Sequence, residues 1–103
     1  MLLVNTEYIG GKELEMLGMV KGSVVRTKNV GNVIMASFKT LVGGEIASYT
    51  DLMNEARSIA TKRMVEEAEK MGADAIVAIR YSSATVMGGA AEIMAYGTAV
   101  KFK

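Results

Sequence analysis

From Ser48 to Met71 the apolar positions recur at helical spacing. At about 100° per residue, Leu52, Met53, Ala56, Ala60, Met64, Ala68 and Met71 gather on one broad face. Lys62–Glu66, Arg63–Glu67 and Glu66–Lys70 are spaced to pair along the outside. The expected start is Ser48 or Thr50, with Asp51 in the first turn complementing the helix dipole. Gly72 is the expected stop. Beyond it the period falls to two. Ala75 to Val86 reads as a strand with Ile76 and Ala78 on one face and Val77, Ile79 and Tyr81 on the other. Gly88-Gly89 predicts a hairpin turn into a strand over Glu92 to Phe102. The two faces of that last strand differ in size: Ile93, Ala95, Gly97 and Ala99 are mostly small, whereas Met94, Tyr96, Val100 and Phe102 are bulky. Small residues let a helix approach closely, so the helix is expected on that side. The bulky side then needs a second cover.

The N-terminal half is less regular. Leu2 to Val4 is a short apolar run suited to a small edge strand, and Tyr8-Ile9-Gly10-Gly11-Lys12 predicts a turn. Leu14 to Thr27 reads as a strand, with Leu14, Met16, Val20 and Val24 on one parity and Leu17, Met19 and Val25 on the other. Gly18 and Gly22 interrupt it, which suggests a bulge or bend. Asn32 is placed to cap a short helix through Leu41 that ends at Gly43-Gly44. No repeat, linker or low-complexity segment divides the chain, so residues 1–103 read as a single domain. The fold class is α+β: a two-layer β-α-β-β unit whose antiparallel sheet is packed by one long helix. Such a unit covers one sheet face, and the other is expected to belong to a contact between subunits.

Composition sharpens this expectation. Half of the 103 residues are apolar and mean hydropathy is +0.25, yet a domain this small buries only roughly two-thirds of its unfolded surface. Contiguous apolar surface left wet normally marks a contact. Twelve basic and eleven acidic residues leave a net charge of +1 with no like-charge block, so the field offers nothing to nucleic acid or an anionic membrane. The first residues lack a basic, then apolar, signal-peptide pattern, and no run approaches the roughly 18 apolar residues of a membrane span. A cytoplasmic location is the expectation.

The order of motifs is itself informative. Val42-Gly-Gly-Glu-Ile46, Tyr49-Thr-Asp-Leu52, Glu55-Ala-Arg57 and Met71-Gly-Ala-Asp-Ala-Ile-Val77, with the earlier Gly18-x-Val20-x-Gly22, resemble the YbjQ-like family named as "putative heavy-metal-binding" proteins. The resemblance covers nearly the whole chain. It implies a small α+β subunit related in topology to the dodecin subunit, assembling as a ring, typically a homopentamer. It supplies no established activity, and a bound metal enters only through the family's label.

Ligand chemistry tests that label. Soft and borderline metals prefer thiolate and imidazole, and the chain has no cysteine and no histidine. Nine methionines remain, but Met53, Met64 and Met71 fall on the apolar helix face, where methionine ordinarily fills core. Met16, Met19, Met35, Met87 and Met94 are scattered. Asp51 and Glu55, four apart on one helix, read first as solvated carboxylates, ahead of a hard-cation site. A heavy metal would need ligands pooled from several subunits around a ring axis.

Arg57 falls in an otherwise apolar arc between Met64 and Ala68, where a guanidinium needs a partner. Glu45 and Glu92 are the available acids, and the plain reading is a salt bridge between elements. The functional alternative is an anion-recognising arginine in a pocket between subunits, lined by Arg57, Glu45 and Tyr49. Gly43-Gly44 precede a helix N-terminus whose amides could bind phosphate; Glu45 and Asp51 oppose an anion there, and a turn is preferred. Serine and threonine have no histidine to activate them, so no catalytic constellation is recognisable. A ring protein binding a small ligand or metal is the first expectation, and a structural or protein-interaction module the second. An enzyme using Arg57 and Glu45 ranks third.

Overall fold

The computed structural model describes residues 1–27, 45–87 and 90–103, with only the backbone described at residues 27, 45–49 and 87. Strand β1 (Leu2–Leu3), strand β2 (Leu14–Thr27), helix α1 (Glu45–Lys70), strand β3 (Ala75–Met87) and strand β4 (Ala90–Phe102) follow in chain order. The four strands make one sheet in the order β1-β3-β4-β2. β4 pairs antiparallel with both long neighbours, while β1 pairs parallel with β3. The sheet is therefore mixed, not purely antiparallel as the long strands alone suggest. The short helix expected over residues 32–41 and the Gly88-Gly89 turn lie outside the described residues.

α1 forms because its 26 residues contain neither glycine nor proline and are rich in alanine, methionine, glutamate and lysine. It starts at Glu45, so Ser48 sits inside the helix and does not cap it. Its end is the one expected. Gly72 has φ +75°, Ala73 N–H donates to the Ala68 carbonyl at 3.1 Å and Gly72 N–H to that of Glu69 at 3.0 Å. This double bond pattern closes a helix on a left-handed residue. Of the surface pairs expected along α1, Arg63–Glu67 gives way to ties from both residues to β2. Arg63 Nη1 donates to the Ser23 carbonyl at 2.6 Å, and Lys21 N–H donates to Glu67 Oε1 at 3.3 Å. Arg26 of β2 pairs with Glu55 at 2.7 Å.

The core lies between α1 and the small-residue face of β4, as the size asymmetry predicts. Ala56, Ala60, Met64 and Ala68 are fully buried against Val20, Ile76, Ala95 and Ala99. The helix comes close because Gly22 has no side chain. A Cβ there would run into the backbone of Ala60 and Met64 and lie 2.8 Å from Arg63 Cβ.

Strict alternation fails at three places: one between Thr85 and Met87 of β3, and two near the other end of the sheet. In β2 the pairing steps from Met16 opposite Val100 to Gly18 opposite Ala99, so Leu17 is an extra residue. Leu14 and Met16 consequently face away from the helix, while Leu17, Val20 and Val24 pack towards it. In β3 the register jumps from Val77 opposite Thr98 to Arg80 opposite Tyr96, setting Ala78 and Ile79 against Gly97 alone. Ile76 and Ile79 share the helix-side core as a result. The parity that groups Ala78 with Ile76, and Val77 with Ile79, does not hold, because a bulge resets the faces. Gly97 makes room for it: a Cβ at that position would lie 2.8 Å from Ile76 Cγ2 and 2.9 Å from the Val77 carbonyl oxygen.

The bulge also anchors the N-terminus. Ala78 has φ +54°; its N–H donates to the Thr6 carbonyl at 2.7 Å, and the next N–H, of Ile79, to that of Val4 at 3.2 Å. The segment so held brings Val4, Ile9 and Leu14 over Ala75, Val77 and Val100. One end of the second sheet face is thereby covered by the chain itself. The remainder is open: Met19 is 74%, Met16 58% and Val25 53% exposed, with Met94 and Tyr96 half-buried between them.

Gly22→Ala is expected to lower unfolding free energy by about 1–3 kcal/mol through overpacking. Gly10→Ala, where a Cβ meets nothing within 4 Å, is expected to change it by less than about 0.5 kcal/mol. Urea titration at one fixed protein concentration compares the two. Ala78→Gly has the opposite sign: relief of the left-handed alanine is expected to add about 1 kcal/mol.

Candidate functional site

α1 is not centred on the sheet. It packs on β2 and β4 and barely on β3, since its closest approach is set at Gly22 on the outer strand. The helix-side residues of β3 beyond Ile79, Tyr81 among them, remain exposed. Between the flank of α1 and Tyr81 lies an open groove of about 680 Å³, lined by Asn54, Arg57, Ser58, Thr61, Lys62 and Tyr81. The five helical positions recur at steps of three and four, which puts them on one flank.

Hydrogen bonds fix much of this lining. Thr61 Oγ1 donates to the Arg57 carbonyl at 2.7 Å and lies 2.8 Å from the Tyr81 hydroxyl. Threonine has one hydroxyl proton and spends it on Arg57, so Tyr81 is the donor in the second contact. Strand and helix are thus joined across the groove floor. Arg57 Nη2 donates to Asn54 Oδ1, which orients the Asn54 amide with its nitrogen turned away from the guanidinium. A smaller pocket of about 280 Å³, lined by Leu3, Val4, Asn5, Ile79 and Tyr81, shares Tyr81 with the groove.

Of the residues singled out from the sequence, Arg57 is the one that the groove lining contains. It is exposed, and among the described residues its side-chain partner is Asn54 on the same helix, in place of the acid on another element that the apolar arc suggests. The apolar arc misleads because the buried seam of α1 is narrow: Ala56, Ala60, Met64 and Ala68 repeat every fourth residue, and Arg57 falls just outside it. Glu92 cannot be its partner. Glu92 sits opposite Val25 and Ala84 and alternates with buried Ile93, which places it on the other sheet face. Glu45 and Tyr49 lie on α1 itself, roughly 18 and 12 Å before Arg57 along the axis, and their side chains are outside the described residues, as are Gly43 and Gly44. Asn54, Ser58, Thr61, Lys62 and Tyr81 went unnoticed as a set. Their i, i+3/i+4, i+7/i+8 recurrence was the available signal.

The whole chain, residues 1–103, matches a family model described as "Putative heavy-metal-binding", the YbjQ family. The chain belongs to that family. A UPF0145 protein of Alkaliphilus metalliredigens is 67% identical over 102 residues, covering 99% of each chain. Another from Clostridium novyi is 57% identical over 98% of each chain, and one from Thermotoga maritima is 56% identical over all of this chain and 98% of its own. Among solved structures, a protein of unknown function from Pediococcus pentosaceus, placed in the DUF74 family, superposes with a TM-score of 0.74 at 11% identity, covering 100% of this chain and 98% of that one. That likeness shows the shared α+β fold. Among the described residues no helix is long and apolar enough to cross a membrane.

The donor set does not fit the heavy-metal description of this YbjQ member. The chain has neither cysteine nor histidine, and among the described residues no three of Asp, Glu, His and Cys cluster to hold an ion. Met64 is fully buried in the core, Met53 packs against it, and the groove lining contains no methionine. Met35 and the Met87 side chain lie outside the described residues, and the buried placement of Met64 gives heavy-metal thioether chemistry no open ligand there.

Because Arg57 is exposed and, among the described residues, its side chain bonds within its own helix, Arg57→Met is expected to shift unfolding free energy by less than about 0.5 kcal/mol. Thermal unfolding followed by circular dichroism reads this out, and a loss of several kcal/mol would restore the structural-bridge reading.

Proposed function

We propose that this YbjQ-family chain is the subunit of a non-enzymatic cytoplasmic ring, a homopentamer of dodecin-like β-α-β-β units that binds a small ligand at sites between subunits. The observation that carries this reading is the open stretch of the second sheet face, where Met16, Met19 and Val25 are more exposed than large apolar side chains normally are. Met94 and Tyr96 continue it. β2 is a terminal strand of the sheet, so a copy docking here has both apolar surface and an edge to meet. A closed ring satisfies such a head-to-tail contact for every copy. The number five and the dodecin comparison rest on the family resemblance.

Of the two ligand classes, a small polar molecule agrees better with the residues than a heavy metal does, because the groove supplies hydrogen-bond donors and no soft ligands. A metal would require side chains pooled from several copies. A second reading, a protein-interaction module without a ligand, is favoured by the exposed Met16, Met19 and Val25 of the open face itself.

Native mass spectrometry of protein purified without chelator separates these. A species of five subunits is expected, and a well-behaved single subunit at micromolar concentration would overturn the ring. Met19→Lys, in the middle of the open face, is expected to shift the distribution towards single subunits while leaving the helical circular-dichroism signal intact.

A further inference from the structure

We infer that the groove between α1 and β3 is a binding site for a small organic anion, a carboxylate or phosphate borne on a flat apolar body. This rests on the ligand-binding part of the reading above, places the site within one subunit instead of between subunits, and names the class of ligand. The donors decide the charge. Among the described residues Arg57 bonds Asn54 through Nη2 and has its Nε and Nη1 hydrogens to offer; Asn54 turns its amide nitrogen away from the guanidinium; Ser58 stands one turn beyond Asn54, and Lys62 one turn beyond Ser58, on the same flank. Two cations and two neutral donors thus border one concavity whose lining has no carboxylate. Glu55, the nearest acid in sequence to Asn54, is held by Arg26 on the far flank, and Asp51, one turn before Asn54 on the same flank, is not part of the lining. Guanidinium with ammonium in such a pattern recognises oxyanions.

The size and the aromatic wall decide the rest. The Tyr81 hydroxyl is spent on Thr61, so what Tyr81 offers a ligand is its ring. A volume of about 680 Å³ falls in the range of small-molecule sites and far exceeds a bare phosphate.

Isothermal titration calorimetry of the full-length protein with phenyl phosphate, inorganic phosphate and acetate tests this. Saturable binding of phenyl phosphate is expected, tighter than that of inorganic phosphate; equal affinities would overturn the apolar-body assignment. Acetate against inorganic phosphate tells carboxylate from phosphate preference. Arg57→Gln and Lys62→Gln are each expected to weaken binding about tenfold. Arg63→Gln removes the same charge from the opposite flank, where Arg63 bonds Ser23, and is expected to leave binding unchanged. Equal loss in Arg63→Gln would reduce the effect to diffuse charge and overturn the site. No saturable heat with any anion from an intact ring overturns the anion assignment and spares the ring. Binding by a lone subunit does the reverse, since every lining residue comes from one chain.

Discussion

The contact of α1 with β2 at Gly22 is the constraint from which the subunit's other features follow. Backbone meets backbone there, with no side chain between, and the helix seam is made of alanines with a single methionine to match. A helix held that near an outer strand cannot also cover the strand on the far side of β4. The sheet is consequently roofed over β2 and β4 and open over β3, and the open strip is where Tyr81 meets the helix flank. Arg63 and Glu67 reinforce the same placement by bonding the β2 backbone. The residues that look like generic surface charge thus decide where the concavity falls.

Much of the fold was legible in the sequence for a simple reason. Helical period, the glycine stop and the small-against-bulky asymmetry of β4 are each local or nearly local signals, and β4 is a regular strand for which alternation is valid. The failures in β2 and β3 share one cause. A bulge inserts one residue and inverts every face beyond it, and its position depends on the neighbouring strand. Gly18 does mark the bulge in β2, with φ +146°. In β3 the left-handed residue is an alanine, so no glycine marked it, and the compensating glycine, Gly97, sits on the partner strand where a one-strand pattern cannot show its purpose.

The site was less legible than the fold. Arg57 stood out because a charge interrupts an apolar arc, yet the arc was drawn too wide. Helical wheels weight all apolar residues alike, whereas here a seam of alanines four apart leaves the flanks wet. Thr61 and Tyr81 are twenty residues apart on different elements, and their contact exists only because α1 sits off-centre. For a metal, composition alone was informative: the thiolate and imidazole that soft and borderline ions prefer are lacking, and methionine is the soft donor that remains.

The paired amides of Ala78 and Ile79, aimed together at residues 4 and 6, carry a consequence for synthesis. Residues 4 and 6 find these hydrogen-bonding partners only after residue 79 has been translated. β1 therefore waits as an unpaired segment while the helix is made, and it joins the sheet by pairing Leu2 with Ala75 and Leu3 with Ile76 of β3. Such long-range closure slows folding relative to a chain of local contacts.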